Sequence, residues 1–294
     1  MNWILIALIP PFLWAVSNIV AKVIRTKHIK NSLSYTIISS FISSLLLTGI
    51  LFRPISIKLE LIYLVPILSG ILVVLQYMLY IKALSLEDTS TLIPFFNFDP
   101  LMVLVLSTIF LNEILVSKHY VAFALLAAGG ILVSMKRSKI HFSKGIMLIL
   151  ASAFIWSTYS VIIKFVLNFI DSWTSYMLVR VGILAVALFL MLAKGIRHEA
   201  TKTWLSLNKK TRNILIVTEL SSASGMFFVV YAASMAPISL VTVIGGLQSV
   251  FVLLMAAVLS FKFQKIFKEE IDRRIIIQKS IAIALMITGL VFLA

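Results

Sequence analysis

The sequence predicts an all-α integral membrane protein with ten transmembrane helices in two inverted five-helix repeats. Composition is the first sign. Of 294 residues, 61% are hydrophobic and only 13% charged, with a mean hydropathy of +1.08. A soluble domain would carry about a quarter charged residues. Patterning is the second. The apolar residues come in ten runs near the ~20 residues that cross a bilayer as helix, and they do not alternate as barrel strands do. A doubled segment is the third. Residues 12–24, F-L-W-A-V-S-N-I-V-A-K-V-I, return at 154–166 as F-I-W-S-T-Y-S-V-I-I-K-F-V, so Phe12, Trp14 and Lys22 fall on Phe154, Trp156 and Lys164. Each copy holds five runs, an odd number, so the second enters the membrane upside down. Inverted repeats are the architecture of proteins that alternate access around a central site.

The repeats divide the chain into 1–138 and 139–294. Span 1 (3–24) carries Trp14 at mid-depth, Asn18 one turn later on the same face, and Lys22 near its end. Span 2 is 33–51, and span 3 (62–81) holds Gln76, Tyr77 and Tyr80. Span 4 (89–110) has F-N-F-D-P at its centre, with Asn97, Asp99 and Pro100, and Pro94 before them. Span 5 is 119–135. Span 6 (145–167) holds Trp156, Tyr159 and Lys164, and span 7 (173–193) holds Arg180. Span 8 (213–233) holds Glu219 and Tyr231, and span 9 (239–261) holds Gly245, Gly246 and Gln248. Span 10 is 275–294.

The repeat continues collinearly: Ser85 and Ser90 align with Ser234 and Ser239, and Ala122, Ala124, Leu125 and Gly129 with Ala282, Ala284, Leu285 and Gly289. The added residues fall in the loops 194–212 and 262–274. The first has room for a short interfacial helix around Trp204 and Leu205. The second places Phe263, Ile266, Phe267 and Ile271 among charges, as in either a helix lying on the membrane surface or a solvated loop. Small residues at four-residue spacing, Ala124/Ala128 and Ser280/Ala284/Thr288, would pack spans 5 and 10 together or form a dimer.

The net charge of +15 does not point to nucleic acid. Nineteen of the 26 Lys and Arg lie in the loops after spans 1, 3, 5, 7 and 9, and only Arg53, Lys58 and Lys118 lie in loops on the other side. That asymmetry places those five loops in the cytoplasm and both termini outside the cytoplasmic membrane. Met1 and Asn2 supply no basic leader, and the first run is long enough to span, so no cleaved signal peptide is expected. Without cysteine there are no disulfides. His28, His119, His141 and His198 make no ligand pair at helical spacing, so no metal or other cofactor is expected. The partners implied are a small-molecule substrate and the bilayer, with the chain a monomer or weak homodimer. No catalytic constellation and no phosphate-cradling glycine loop is visible, so an enzyme is not expected.

At this point the chain resembles the drug/metabolite transporter superfamily, in its EamA-type branch. The carriers of the resemblance are F-L-W-A-V-S-N and F-I-W-S-T-Y-S, then Y-I-K-A-L-S (80–85) leading to a proline-containing span that ends in I-F-L-N-E at Glu113. A-P-I-S-L-V-T-V-I-G-G-L-Q-S-V-F (236–251) and the glycine-rich ends of spans 5 and 10 complete it. The resemblance implies a central cavity for a small metabolite or amino acid, with export or exchange often coupled to protons or a counter-substrate. The chain departs from the pattern at Ser249, where the family often has proline, and at Lys262, opposite Glu113 of the first half. Its charge-derived topology also differs from the cytoplasmic termini of several relatives.

Ionisable groups deep in a bilayer are expensive and usually face a cavity or a partner. Asp99 is expected to line the cavity and bind a cationic group or a proton, or else to be a structural carboxylate paired with Arg180 or a tyrosine. Glu219 and Arg180 read either as a proton-coupling carboxylate and a holder of a substrate carboxylate, or as an internal ion pair. Gln248 is close to the inverted equivalent of Asp99. Trp14 and Trp156, at mid-depth rather than at the interfaces, are expected to wall the cavity or to pack elsewhere. Asn18, Asn97, Gln76, Tyr77, Tyr80, Tyr159 and Tyr231 are further candidates for substrate contact. Lys22 and Lys164 lie near opposite membrane faces, either snorkelling or as gates at the two mouths. A lipid or lipid-linked-sugar flippase of related fold, or a non-transporting membrane enzyme or scaffold, are the alternative readings.

Overall fold

The computed structural model describes residues 2–27, 29, 31–86, 92, 95–134, 143–260 and 273–293. Pro94 and almost all of the 262–274 loop lie outside the described residues, as does the side chain of Lys22. Among the described residues there is no strand. Lipid offers the backbone no hydrogen bonds, so a spanning segment satisfies its own as helix.

The first span is interrupted. Helix α1 (Trp3–Ala7) gives way at Leu8 to α2 (Ile9–Lys27), which carries Pro10 and Pro11 in its first turn, where a missing N–H is harmless. Helix α3 (Ser32–Ser44) runs into a 3-10 segment, Leu45–Leu51, and a 3-10 turn at Leu61–Tyr63 opens α4 (Leu64–Leu86). Helix α5 (Asp99–Leu111) starts afresh after a turn at Asn97 and Phe98. It ends at Asn112, whose left-handed backbone (φ 52°) lets its N–H reach the Ser107 carbonyl. Then come α6 (Ser117–Ser134), α7 (Lys144–Val166), α8 (Ser172–Met191), α9 (Lys194–Ser206) and α10 (Lys209–Ala233). The ninth apolar run is two helices, α11 (Ile238–Ile244) and α12 (Gln248–Ser260), around a 3-10 turn at Gly245–Leu247. Helix α13 (Arg273–Leu293) closes the chain.

Five helices are long and apolar enough to cross a membrane: Ser32–Leu51, Leu61–Leu86, Lys144–Val166, Ser172–Met191 and Lys209–Ala233. Shorter apolar helices cover the other apolar runs. The expected interfacial helix around Trp204 is α9, whose composition is polar and whose mid-chain His198 is therefore helical rather than in a loop.

Helices of the first half pack mainly on helices of the second. Helix α4 lies on α7 and α8, α10 on α2 and α3, α5 on α7, and α12 on α2. Close approach decides where glycine is required. A Cβ on Gly182 of α8 would overlap the Ile67 carbonyl of α4, and one on Gly70 of α4 would come within 2.6 Å of the Gly182 backbone. The α6–α13 contact is reciprocal. A Cβ on Gly129 would meet Ala282 O at 2.8 Å, and one on Gly289 would meet Ala122 O at 3.0 Å. Spans 5 and 10 do pack together, but not through the expected stripe. Ala124 and Ala128 on α6, and Ser280, Ala284 and Thr288 on α13, are exposed. The contact uses the face of Ala122, Leu126 and Gly129 against Ala282, Met286 and Gly289. Four-residue spacing is common to both faces of a helix, and only the helix phase chooses between them.

Candidate functional site

Two helix starts face one cavity. Asp99 is the first residue of α5 and Gln248 the first of α12, each following an interruption of its span. Pro100 accounts for the first break, since it has no N–H and restricts the residue before it. Gly245 and Gly246 permit the second. The cavity, of about 50 Å³, is lined by Asn97, Asp99 and Pro100 on one side and Gly245, Gly246 and Gln248 on another. Trp14 and Trp156 form a wall of the same cavity. Their rings meet edge to face, with centroids 6.0 Å apart. That volume has room for a few waters.

Three of the lining groups, Trp14, Asn97 and Asp99, are anchored from behind. The Trp14 indole donates to Ser222 O of α10 at 3.0 Å, and the neighbouring Ser17 hydroxyl donates to Thr218 O at 3.0 Å. Gly225 leaves space for that indole, since a Cβ there would lie 2.8 Å from its nitrogen. Asn97 donates its amide to Gly130 O at 2.7 Å. Asp99 is 7% exposed. Its carboxylate accepts the Ser157 hydroxyl at 2.5 Å, for which the Ala153 carbonyl at 2.9 Å is the alternative acceptor. Neither Arg180 nor a tyrosine is its partner, as a structural reading of the carboxylate would have required. Serine reaches it because α7 passes directly against α5.

Glu219 forms a separate buried cluster. Its Oε1 accepts Tyr35 at 2.9 Å and Tyr77 at 3.3 Å, with Ser39 beside them. Glu219 and Arg180 therefore do not form the ion pair that one reading of the sequence expects. Phenols of α3 and α4 occupy the carboxylate instead. Arg180, from α8, donates to Ala223 O at 3.3 Å and the Met226 sulfur at 3.0 Å. Its guanidinium lies over the Tyr176 ring, 4.7 Å from the centroid. Tyr80 stacks on Tyr77 and meets Phe96 edge-on, and Phe96 lines the cavity. An aromatic file thus runs from the cavity towards Glu219.

Other sequence candidates fall elsewhere. Gln76 is clasped to Ser152 of α7, its side-chain amide donating to the hydroxyl at 3.0 Å while its main-chain carbonyl accepts that hydroxyl at 3.1 Å. Tyr231 stacks on Phe227, and Asn18 is half-buried one turn from Trp14; neither is among the described lining residues. Tyr159 is buried against Trp156, with ring centroids 5.1 Å apart. Lys164 is half-buried near the end of α7. Its Nζ donates to Ala233 O at 2.7 Å and Ala236 O at 2.8 Å, at the end of α10. Glu113 caps the next helix from the same turn, accepting Ile238 N at 2.9 Å and the Ser239 hydroxyl at 3.3 Å. Helix α11 leads from that turn to the cavity through Val241 and Thr242.

Sequence reasoning missed Tyr35, Ser39, Ser157 and Phe96. Only Ser157 carried a local signal, as a small polar residue beside Trp156. Among the described residues no group of three His, Asp or Glu side chains could hold a metal ion.

The chain has a counterpart among known families. The EamA-like transporter family model matches residues 1–135 and again 143–294. The chain belongs to the EamA-like transporter family. It is thereby a multi-pass membrane protein of the drug/metabolite transporter superfamily. A crystal structure of another protein matches this EamA-like chain with a TM-score of 0.72 at 16% identity, covering 99% of this chain and 95% of that one. At that identity the likeness concerns the fold. No curated protein matches the chain.

Proposed function

We propose that this EamA-like protein is a secondary transporter that moves a small polar metabolite, such as an amino acid, across the cytoplasmic membrane by alternating access. The observation that carries this reading is the meeting of two interrupted helices, at Asp99 and Gln248, around one cavity between Trp14 and Trp156. Discontinuous helices at corresponding positions mark the binding site in inverted-repeat transporters. Ten spans in two inverted units, 1–138 and 139–294, are supported by the paired family matches and by the reciprocal α6–α13 contact.

In this reading Asp99 holds a cationic substrate group, Gln248 and Asn97 offer hydrogen bonds, and the tryptophans exclude water. Glu219 exchanges the coupling proton through Tyr77 and Tyr80. Lys164, with Glu113, latches one mouth of the cavity by holding the 233–239 turn. The enclosed position of Asp99 favours an aqueous metabolite over the lipid of a flippase, whose cavity would open sideways between helices.

The test is uptake into proteoliposomes from a panel of amino acids and related metabolites, with and without a pH gradient. Uptake should be gradient-dependent, and Asp99→Asn should abolish it. Glu219→Gln should leave substrate binding intact while removing the dependence on the gradient. Both variants behaving as wild type would sink the coupling scheme. In this reading the basic loops are cytoplasmic and both termini outside, so a C-terminal reporter active in the cytoplasm would reverse the orientation.

A further inference from the structure

We infer that Arg180 and Tyr159 form an anion-binding subsite behind Trp156, built to take a carboxylate or a small inorganic anion. Arg180 is 3% exposed and Tyr159 2%. The Arg180 Nε and the Tyr159 hydroxyl are both buried, and neither has a hydrogen-bond partner. The two lie within electrostatic reach of each other. Tyr159 belongs to an apolar cluster with Tyr176 and Met226, the two side chains that Arg180 itself contacts.

The chemistry of this corner is unbalanced in one direction. Arginine stays charged in proteins and has five donors and no acceptor. Here its acceptors are a carbonyl and a thioether, and a thioether is a weak acceptor. The Tyr176 face adds cation–π attraction but no negative charge. Tyr176 itself spends its hydroxyl on the Ala223 carbonyl at 2.7 Å. Glu219 is also within electrostatic reach of Arg180, but it forms no ion pair with it, and its Oε1 is occupied by Tyr35 and Tyr77. Among the described residues, then, a buried cation has no ion-pair partner and one unused N–H, and the Tyr159 hydroxyl is unused as well. Buried charges are normally paired because an isolated one is so costly. An anion accepting from Arg180 Nε and Tyr159 Oη would complete the arrangement.

The corner is also next to the transport cavity. Trp156 lines that cavity and packs on Tyr159. If the anion is part of the substrate, Asp99 and this corner together recognise a zwitterion. That assignment rests on the transport reading; the binding itself does not.

Binding can be measured on the full chain in detergent, without transport. The melting temperature is followed against sodium acetate or sodium chloride, with sodium isethionate holding ionic strength constant. A ligand of the native state raises the melting temperature saturably. The wild type should saturate with at least one of the two anions. Acetate alone saturating points to a substrate carboxylate, and chloride saturating points to a resident inorganic anion. Tyr159→Phe removes one oxygen and keeps the ring, and should raise the half-saturating concentration about ten-fold. Arg180→Lys, which keeps the charge but not the fork, should abolish saturation. No saturable shift in the wild type, or an unchanged midpoint in Tyr159→Phe, would overturn the subsite. Because no flux is read, failed transport and a failed subsite remain distinguishable.

Discussion

The α6–α13 contact and the Asp99–Gln248 pair both join positions that the sequence repeat aligns, yet they differ in kind. At the contact the two sides are chemical equals. Gly129 faces Ala282 and Met286, and Gly289 faces Ala122 and Leu126, their aligned counterparts. At the cavity the two sides are unlike. Asp99 carries a carboxylate and a serine partner; Gln248 carries an amide, and the residue aligned with Ser157 is Ala15. Symmetric packing suits a joint on which two halves can move, because both directions of motion meet the same surface. Asymmetric chemistry suits recognition, because a substrate is not itself symmetric. In the transport reading proposed above, the repeat divides into a mechanical part and a chemical part.

The sharpest way to break that division is to exchange the chemistry across it. Asp99→Gln should lower uptake about 100-fold, as expected for losing a buried charged interaction of about 3 kcal/mol. The exchanged double variant, Asp99→Gln with Gln248→Asp, should recover less than a tenth of the loss. The residue aligned with Ser157 is Ala15, which has no hydroxyl to offer the new carboxylate. Full recovery, read as initial uptake rate in proteoliposomes, would mean that the two helix starts are equivalent and that the asymmetry is incidental.

The mechanical part makes the opposite demand. Gly129→Leu and Gly289→Leu should destabilise the protein by similar amounts, about 1–3 kcal/mol each, because both force a side chain into a packed helix contact. Melting temperatures in detergent read this directly. Ala124→Leu, on the exposed face of the same helix, should change little. A large loss at Ala124, or one glycine tolerant and the other not, would contradict a reciprocal joint.

Which features were legible in the sequence follows the same division. The apolar runs were readable because lipid forces each to be a helix. The break before Asp99 was readable because Pro100 acts on its own neighbours. Trp14, Trp156, Asn97, Asp99 and Gln248 could be grouped because the repeat ties one half to the other. The surroundings of Glu219 could not. Tyr35 lies 184 residues away, and no periodicity links it to α10. Opposite charge suggested Arg180 as the partner of Glu219, but in a buried site geometry chooses, and two phenols arrive first. The small-residue stripe failed for a related reason. Spacing identifies a face of a helix, and only the tertiary contact says which face is inside.

The smallest effect concerns a pair of helix caps at aligned ends of spans 2 and 7. Asn31 accepts the N–H groups of Leu33 and Ser34 at 3.0 and 3.1 Å. Asp171 accepts those of Trp173 and Thr174 at 3.0 and 3.1 Å. The geometry is shared; the charge is not. Partial burial pushes the Asp171 carboxyl up. The hydrogen bonds from Thr174 and Trp173, with the Arg53 charge, outweigh it and hold the group below the usual carboxylate range. A carboxyl depressed in the folded state stabilises the fold above the unfolded value of about 3.9, and that contribution fades as the pH falls through the lower folded value. Either cap replaced by alanine should cost about 1 kcal/mol at neutral pH. On acidification the cost of Asp171→Ala should shrink, while that of Asn31→Ala stays constant, since an amide does not titrate. Melting temperatures of the two variants against wild type, at neutral pH and near pH 3, separate the cases. Parallel pH profiles would show that the Asp171 charge adds nothing to the cap, and that even at this position the two halves are equivalent.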